Sequence, residues 1–129
     1  MEPVIVIETS KPFAEACRAL EDAVPAHGFG IMHVHDVRAT LAKKGVPFDR
    51  DVRIFEVCNP ARAKAALDAN PLIATALPCA IAVFVDRGRT TFAFLRPTVV
   101  LGWFGSGDLR HVAEEVEATV TRIVEAAAA

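Results

Sequence analysis

Residues 79–95 fall into two apolar runs across a short polar break: Cys79-Ala-Ile-Ala-Val-Phe-Val85, then Asp86-Arg-Gly88, then Arg89-Thr-Thr-Phe-Ala-Phe-Leu95. β-Branched and aromatic residues on both sides of a break that ends in glycine, the residue that accepts left-handed backbone freely, predict an antiparallel hairpin. Within the first run Cys79, Ile81, Val83 and Val85 line one side, and Ala80, Ala82 and Phe84 the other. An antiparallel strand with one wet face alternates apolar with polar residues, and this one is apolar on both sides. It is expected to be central, with its second face covered by the chain itself, a partner subunit or an apolar ligand. A mean hydropathy of +0.34 points the same way. We expect a homodimer.

Before the hairpin, Val4 to Glu8 is β-branched and reads as a first strand. Thr9 or Ser10 is placed to cap a helix whose stripe is Phe13, Ala16, Cys17, Leu20 and Val24, with Pro25 and Gly28 as stops. Gly28 to His35 is extended, and Asp36 has the character of an N-cap for a short helix carrying Val37 and Leu41. Lys43 and Lys44 suit the negative end of that helix, and Gly45 its termination. Asp51 to Cys58 alternates like a strand. Asn59-Pro60 then opens an alanine-rich helix to about Ala69, which Asn70-Pro71 ends.

After the hairpin, Pro97 closes the strand pair and Gly102-Trp-Phe-Gly-Ser-Gly107 reads as a loop. A C-terminal helix over about 108–127 carries Leu109, Val112, Ala113, Val116, Val120, Ile123 and Val124 on one stripe, and its Glu125-Ala-Ala-Ala-Ala129 end is expected to fray. Strands mixed with helices, one tight hairpin and no internal linker predict an α+β fold over residues 1–129. The expected architecture is one two-layer domain, a largely antiparallel sheet with helices packed on one face.

Composition narrows the partners. Fourteen Lys and Arg against sixteen Asp and Glu give a net charge of −2, and the basic residues form only short scattered pairs, so no nucleic-acid platform is expected. The longest apolar stretch, Leu72 to Val85, is interrupted by Thr75 and Pro78. It falls short of the about 20 residues a bilayer-spanning helix needs, so no membrane partner is expected. Three cysteines behind an acidic start without a positive leader suggest free thiols in a reducing cytoplasm.

Several landmarks occur together in one order: Gly28-Phe-Gly-Ile31, Asp36-Val-Arg-Ala-Thr-Leu41, Glu56-Val-Cys-Asn-Pro60, Asn70-Pro71 and Leu77-Pro-Cys79. This arrangement resembles the domain-of-unknown-function family 302 over roughly Phe13 to Pro97, with Cys-Asn-Pro and Leu-Pro-Cys its most specific parts. The resemblance implies a small, dimeric α+β fold with no established activity. It marks Cys58, Asn59, Pro60, Leu77, Pro78 and Cys79 as signature positions and does not include His33 or His35.

The residue types that carry chemistry are few. Cys58 directly precedes a helix N-terminus, where exposed amides stabilise a thiolate, so it is the candidate nucleophile, with Glu56 two residues away on the same strand. The plainer account is a small residue packed where strand becomes helix. Cys79 meets Cys58 only if residues 71–78 climb back along the sheet. His33 and His35 project from one strand face about 7 Å apart, a separation that suits two ligands of one metal with Glu56 or Cys58 completing the set. A hydrogen-bonded surface pair is the simpler alternative. Gly105, Ser106 and Gly107 before a helix can gather amides around an anion, but without Gly-Lys-Ser/Thr they form no P-loop. Trp103 and Phe104 beside them cover a pocket, seal a dimer or pack on the sheet.

Three readings follow. A homodimeric binding module would hold a small apolar or anionic ligand, using Asn59, Cys79, Trp103, Phe104 and the glycine loop. A thiol-dependent enzyme or redox protein would centre on Cys58. A metal-binding protein would use His33 and His35. No cofactor is indicated. The first is preferred, because the second sheet face is apolar and no complete catalytic constellation is present.

Overall fold

The computed structural model describes residues 2–105 and 107–129. Five strands form one antiparallel sheet: β1 (Val4–Thr9), β2 (Gly30–Asp36), β3 (Val52–Cys58), β4 (Cys79–Asp86) and β5 (Arg89–Leu95), in the order β1-β5-β4-β3-β2. The doubly apolar strand β4 is central, as its composition requires. Arg87 and Gly88 both have positive φ, 52° and 76°, and Asp86 pairs directly with Arg89. The hairpin loop is therefore two residues, one shorter than the sequence break. Two left-handed central residues match the twist of the strands they join.

Helix α1 (Phe13–Ala26) and helix α5 (Gly107–Ala128) cover one face. Ala16, Cys17, Leu20 and Val24 from α1 and Val120, Ile123 and Val124 from α5 meet Phe55, Val57, Ile81, Val83, Phe92 and Phe94 from the sheet in the main core. Helix α2 (Val37–Lys43) starts as expected, with Asp36 accepting from the Ala39 amide at 2.9 Å. Helix α3 (Pro60–Ala69), a 3-10 helix (Pro71–Ala76) and helix α4 (Pro97–Gly102) lie against α5 around a smaller cluster of Ala66, Ile73, Leu101, Leu109 and Ala113. Among the described residues no helix is long and apolar enough to cross a membrane.

Four local expectations change. Helix α1 has Pro12, not Thr9 or Ser10, at its N-cap. Thr9 instead accepts from the Lys11 amide and donates its hydroxyl to Ala128 O at 2.8 Å, tying β1 to the end of α5. That tie, with Lys11 Nζ donating to Ala127 O at 2.8 Å, docks the alanine tail: Ala127 is only 1% exposed, so the end does not fray. Residues 97–102, which carried no expected element before the loop at Gly102, are helical, because Pro97 sits at the first helical position, where its missing N–H costs nothing. Glu117 of α5 holds that start by accepting from the Thr98 amide (3.1 Å), the Thr98 hydroxyl (2.7 Å) and Arg96 (3.3 Å). Finally, a bulge at Met32 breaks the alternation of β2. Ile31 opposes Val57 and Val34 opposes Phe55, so both share the helix-covered face although they are three residues apart.

The opposite sheet face carries Val4, Val6, Ala82, Ala93, Leu95 and Ile54 by strand alternation. Val6 and Leu95 are 59% and 56% exposed there.

Candidate functional site

Where β3 ends and β4 begins, the sheet, α3, the 3-10 helix, α4 and α5 enclose a cavity of about 170 Å³. The 3-10 helix is what places it. It returns the chain so that Cys79 pairs across from Val57, one residue before Cys58, and both thiols line the same cavity. The Leu77–Pro78 peptide bond on its wall is cis. Alanines 63 and 66 leave room where larger side chains would fill it, while Phe94, Leu101, Val112 and Val116 supply the apolar wall.

Asn59 organises the mouth. Its Oδ1 caps α3 by accepting from the Arg62 amide at 3.1 Å, and its Nδ2 donates to Gly28 O at 3.2 Å, pinning the helix start to the approach to β2. Arg62 also lines the cavity. Its Nη2 lies 2.6 Å from Glu115 Oε2, and Glu115 Oε1 is in turn 2.5 Å from His111 Nε2. The Nε of Arg62 is buried with no hydrogen-bond partner among the described residues. Arg62 was not legible as a site residue from its type alone. One signal existed: Asn59-Pro60 places it in the first turn of α3, where a cation opposes the helix dipole and needs an outside anion.

The Cys79 thiol is pushed up to about 11, first by burial and then by Cys58 close by. Burial also raises Cys17 in the core, with Arg53 opposing the rise. Cys79 is therefore a proton-holding wall residue at neutral pH, not a thiolate. The folded chain keeps this proton where an unfolded thiol, at 9.0, releases it. The group is silent below about pH 9, and stability falls as pH climbs towards 11, by up to roughly 3 kcal/mol. Urea unfolding of the parent and Cys79→Ala chains across this range should show a steeper alkaline loss in the parent. Parallel curves would contradict the assignment.

The other candidates stand elsewhere. Gly30, not a histidine, is directly across from Cys58, and Glu56 faces His33. The rings of His33 and His35 stack at 6.4 Å, as their spacing predicts, and His35 Nε2 lies 3.1 Å from Thr40 Oγ1. Among the described residues no group of three or more His, Cys, Asp or Glu is placed to hold a metal ion. Trp103 is 71% exposed and is not part of the cavity wall. Phe104 packs on the smaller cluster, and Gly105 and Gly107 border a separate open groove beside Arg96, Glu117 and Arg122. Ser106 lies outside the described residues. Of the expected ligand-binding set, Asn59 and Cys79 come together with Cys58; the aromatic pair and the glycines do not join them.

Comparison with known proteins agrees with this architecture. The family described as Domain of unknown function DUF302 matches residues 5–127, wider than the Phe13–Pro97 stretch that carries the resemblance in sequence. A crystal structure of an uncharacterized conserved DUF302 protein from Bacillus stearothermophilus is 27% identical, covers 98% of this chain and 99% of its own, and superposes with a TM-score of 0.93. No curated protein matches the sequence. With nearly its whole length matched and the fold shared end to end, the chain belongs to the DUF302 family.

Proposed function

We propose that the protein is a homodimeric binding domain for a small, mainly apolar molecule held in the cavity between β3, β4, α3 and α5. The observation that carries this reading is the cavity itself: about 170 Å³, lined mainly by aliphatic and aromatic side chains, with Asn59, Arg62 and two cysteines among them. An engineered apolar cavity of about 150 Å³ takes up benzene, so the ligand is of one-ring size. Five of the six signature positions, Cys58, Asn59, Leu77, Pro78 and Cys79, contribute to this wall and Pro60 does not, while a reducing cytoplasm keeps the thiols free. Exposed Val4, Val6 and Leu95 on the sheet face away from α1 and α5 support the dimer, since burying them against a second copy removes apolar area from water. The thiol-enzyme alternative is weaker because no imidazole is directly opposite Cys58 to act as its base.

Native mass spectrometry of the untagged protein, purified without chelator or reductant, tests both parts. A dimer carrying a discrete organic mass, released when the spray is made denaturing, is the expected result. A monomer overturns the dimer. An ion mass in place of an organic one moves the assignment to His33 and His35.

A further inference from the structure

We propose that helix α3 is a movable lid over the cavity, strapped to α5 by the Arg62–Glu115 ion pair and held down by the bound molecule. The inference rests on the binding reading above and adds how that site admits and keeps its ligand. Its starting point is the inward face of α3. From Pro60 to Ala69 only Ala66 is buried, Arg62 and Ala63 are half-buried, and the rest are exposed. All three inward residues line the cavity.

A helix in a folded protein is held mainly by the apolar stripe it buries. The stripe of α3 is two alanine methyl groups and an arginine, set over the cavity. The helix therefore has little packing of its own, and a molecule in the cavity supplies the contacts it lacks. Its neighbour is built differently. Helix α5 sinks Val116, Val120, Ile123 and Val124 into the main core and is tied at its end by Thr9 and Lys11, so it stays in place while α3 moves.

Both ends of α3 are anchored, and the span between them is not. At one end Asn59 is bonded to Gly28 O. Beyond the other end Ile73 of the 3-10 helix is fully buried, and Asn70 caps that helix by accepting from the Leu72 amide at 3.0 Å. The helix can roll outward about the line joining these anchors. Among the described residues, the one polar tie from an α3 side chain to another element is the 2.6 Å pair of Arg62 with Glu115. Both side chains are about one-third exposed, which makes the strap weak and easily parted. Closure also leaves Arg62 Nε buried without a partner among the described residues, and water reaches it again when α3 lifts. Elements with few buried contacts open locally while the rest of the fold stays intact.

Hydrogen–deuterium exchange on the whole protein, with and without saturating benzene, tests the lid, and an NMR titration shows separately whether benzene binds. Without benzene, amides 64–69 of α3 should exchange about tenfold or more faster than amides 116–124 of α5. Bound benzene should slow the α3 amides by about tenfold or more and leave those of α5 unchanged. Glu115→Ala parts the strap at a residue outside the cavity wall, so benzene should leave this variant about tenfold faster, read from NMR line shapes. Glu115→Gln is the second variant, should the alanine chain fold poorly. Amides of α3 as slow as those of α5 in the unliganded parent overturn the lid. Fast α3 amides that bound benzene does not slow overturn the ligand's part in closing it. An unchanged dissociation rate in a folded Glu115 variant overturns the strap. Each of these results, with benzene bound, leaves the cavity reading standing. Failure of benzene to bind the parent overturns the cavity reading, and this proposal with it.

Discussion

A Phe55→Ala chain unfolds with about 3–5 kcal/mol less free energy than the parent. Phe55 is fully buried in β3, flanked in the sheet by Val34 on β2 and Ile81 on β4, and belongs to the core that α1 and α5 close over. Removing its ring deletes buried hydrocarbon and leaves a space that two clamped strands cannot collapse into. For a domain whose whole stability is of order 5–15 kcal/mol, that loss is a large fraction. Urea titration should show a lower midpoint at an unchanged slope, because the same surface is exposed on unfolding. A loss below about 1 kcal/mol would mean that the sheet relaxes around the missing ring, contrary to the packing described.

Ala63→Phe should act on binding in the opposite sense to its effect on stability. Ala63 is half-buried on α3 and lines the cavity, so a phenyl ring there takes the ligand's place. Affinity for benzene, the one-ring probe, is expected to fall by about tenfold or more, while the unfolding midpoint holds or rises as the void fills. Both are read on one sample, by titration and by urea unfolding. Undiminished binding in a folded Ala63→Phe chain would place the ligand elsewhere.

Much of the fold was legible because its signals are local. Asp36 and Asn59 as caps, Pro60 at a helix start, the Arg87-Gly88 turn and the stripes of α1 and α5 each state their structure within a few residues. What was not legible depends on partners distant in sequence. Thr9 looked like a cap, but its hydroxyl is claimed by Ala128. The bulge at Met32 puts Ile31 and Val34 on one sheet face, which alternation alone forbids. The candidate site divides the same way. Cys58, Asn59 and Cys79 were nameable from their local context, but their meeting depends on a 3-10 helix that no hydrophobic period announces. Arg62 becomes a site residue only once α5 brings Glu115 beside it.

The pairing of β1 with β5 sets the order in which the sheet can be completed. Val4 lies across from Leu95, so most of the chain separates two neighbours, whereas β4 and β5 are joined by a two-residue turn. The hairpin closes a minimal loop, but β1 must close a very long one and has no sheet edge to join until β5 exists. The earliest strand of the chain is thus seated last, and its apolar edge stays open throughout the interval. In a concentrated refolding mixture the vacant place beside β5 accepts the same strand from a neighbouring chain equally well, so exchanged dimers should accumulate with protein concentration during refolding.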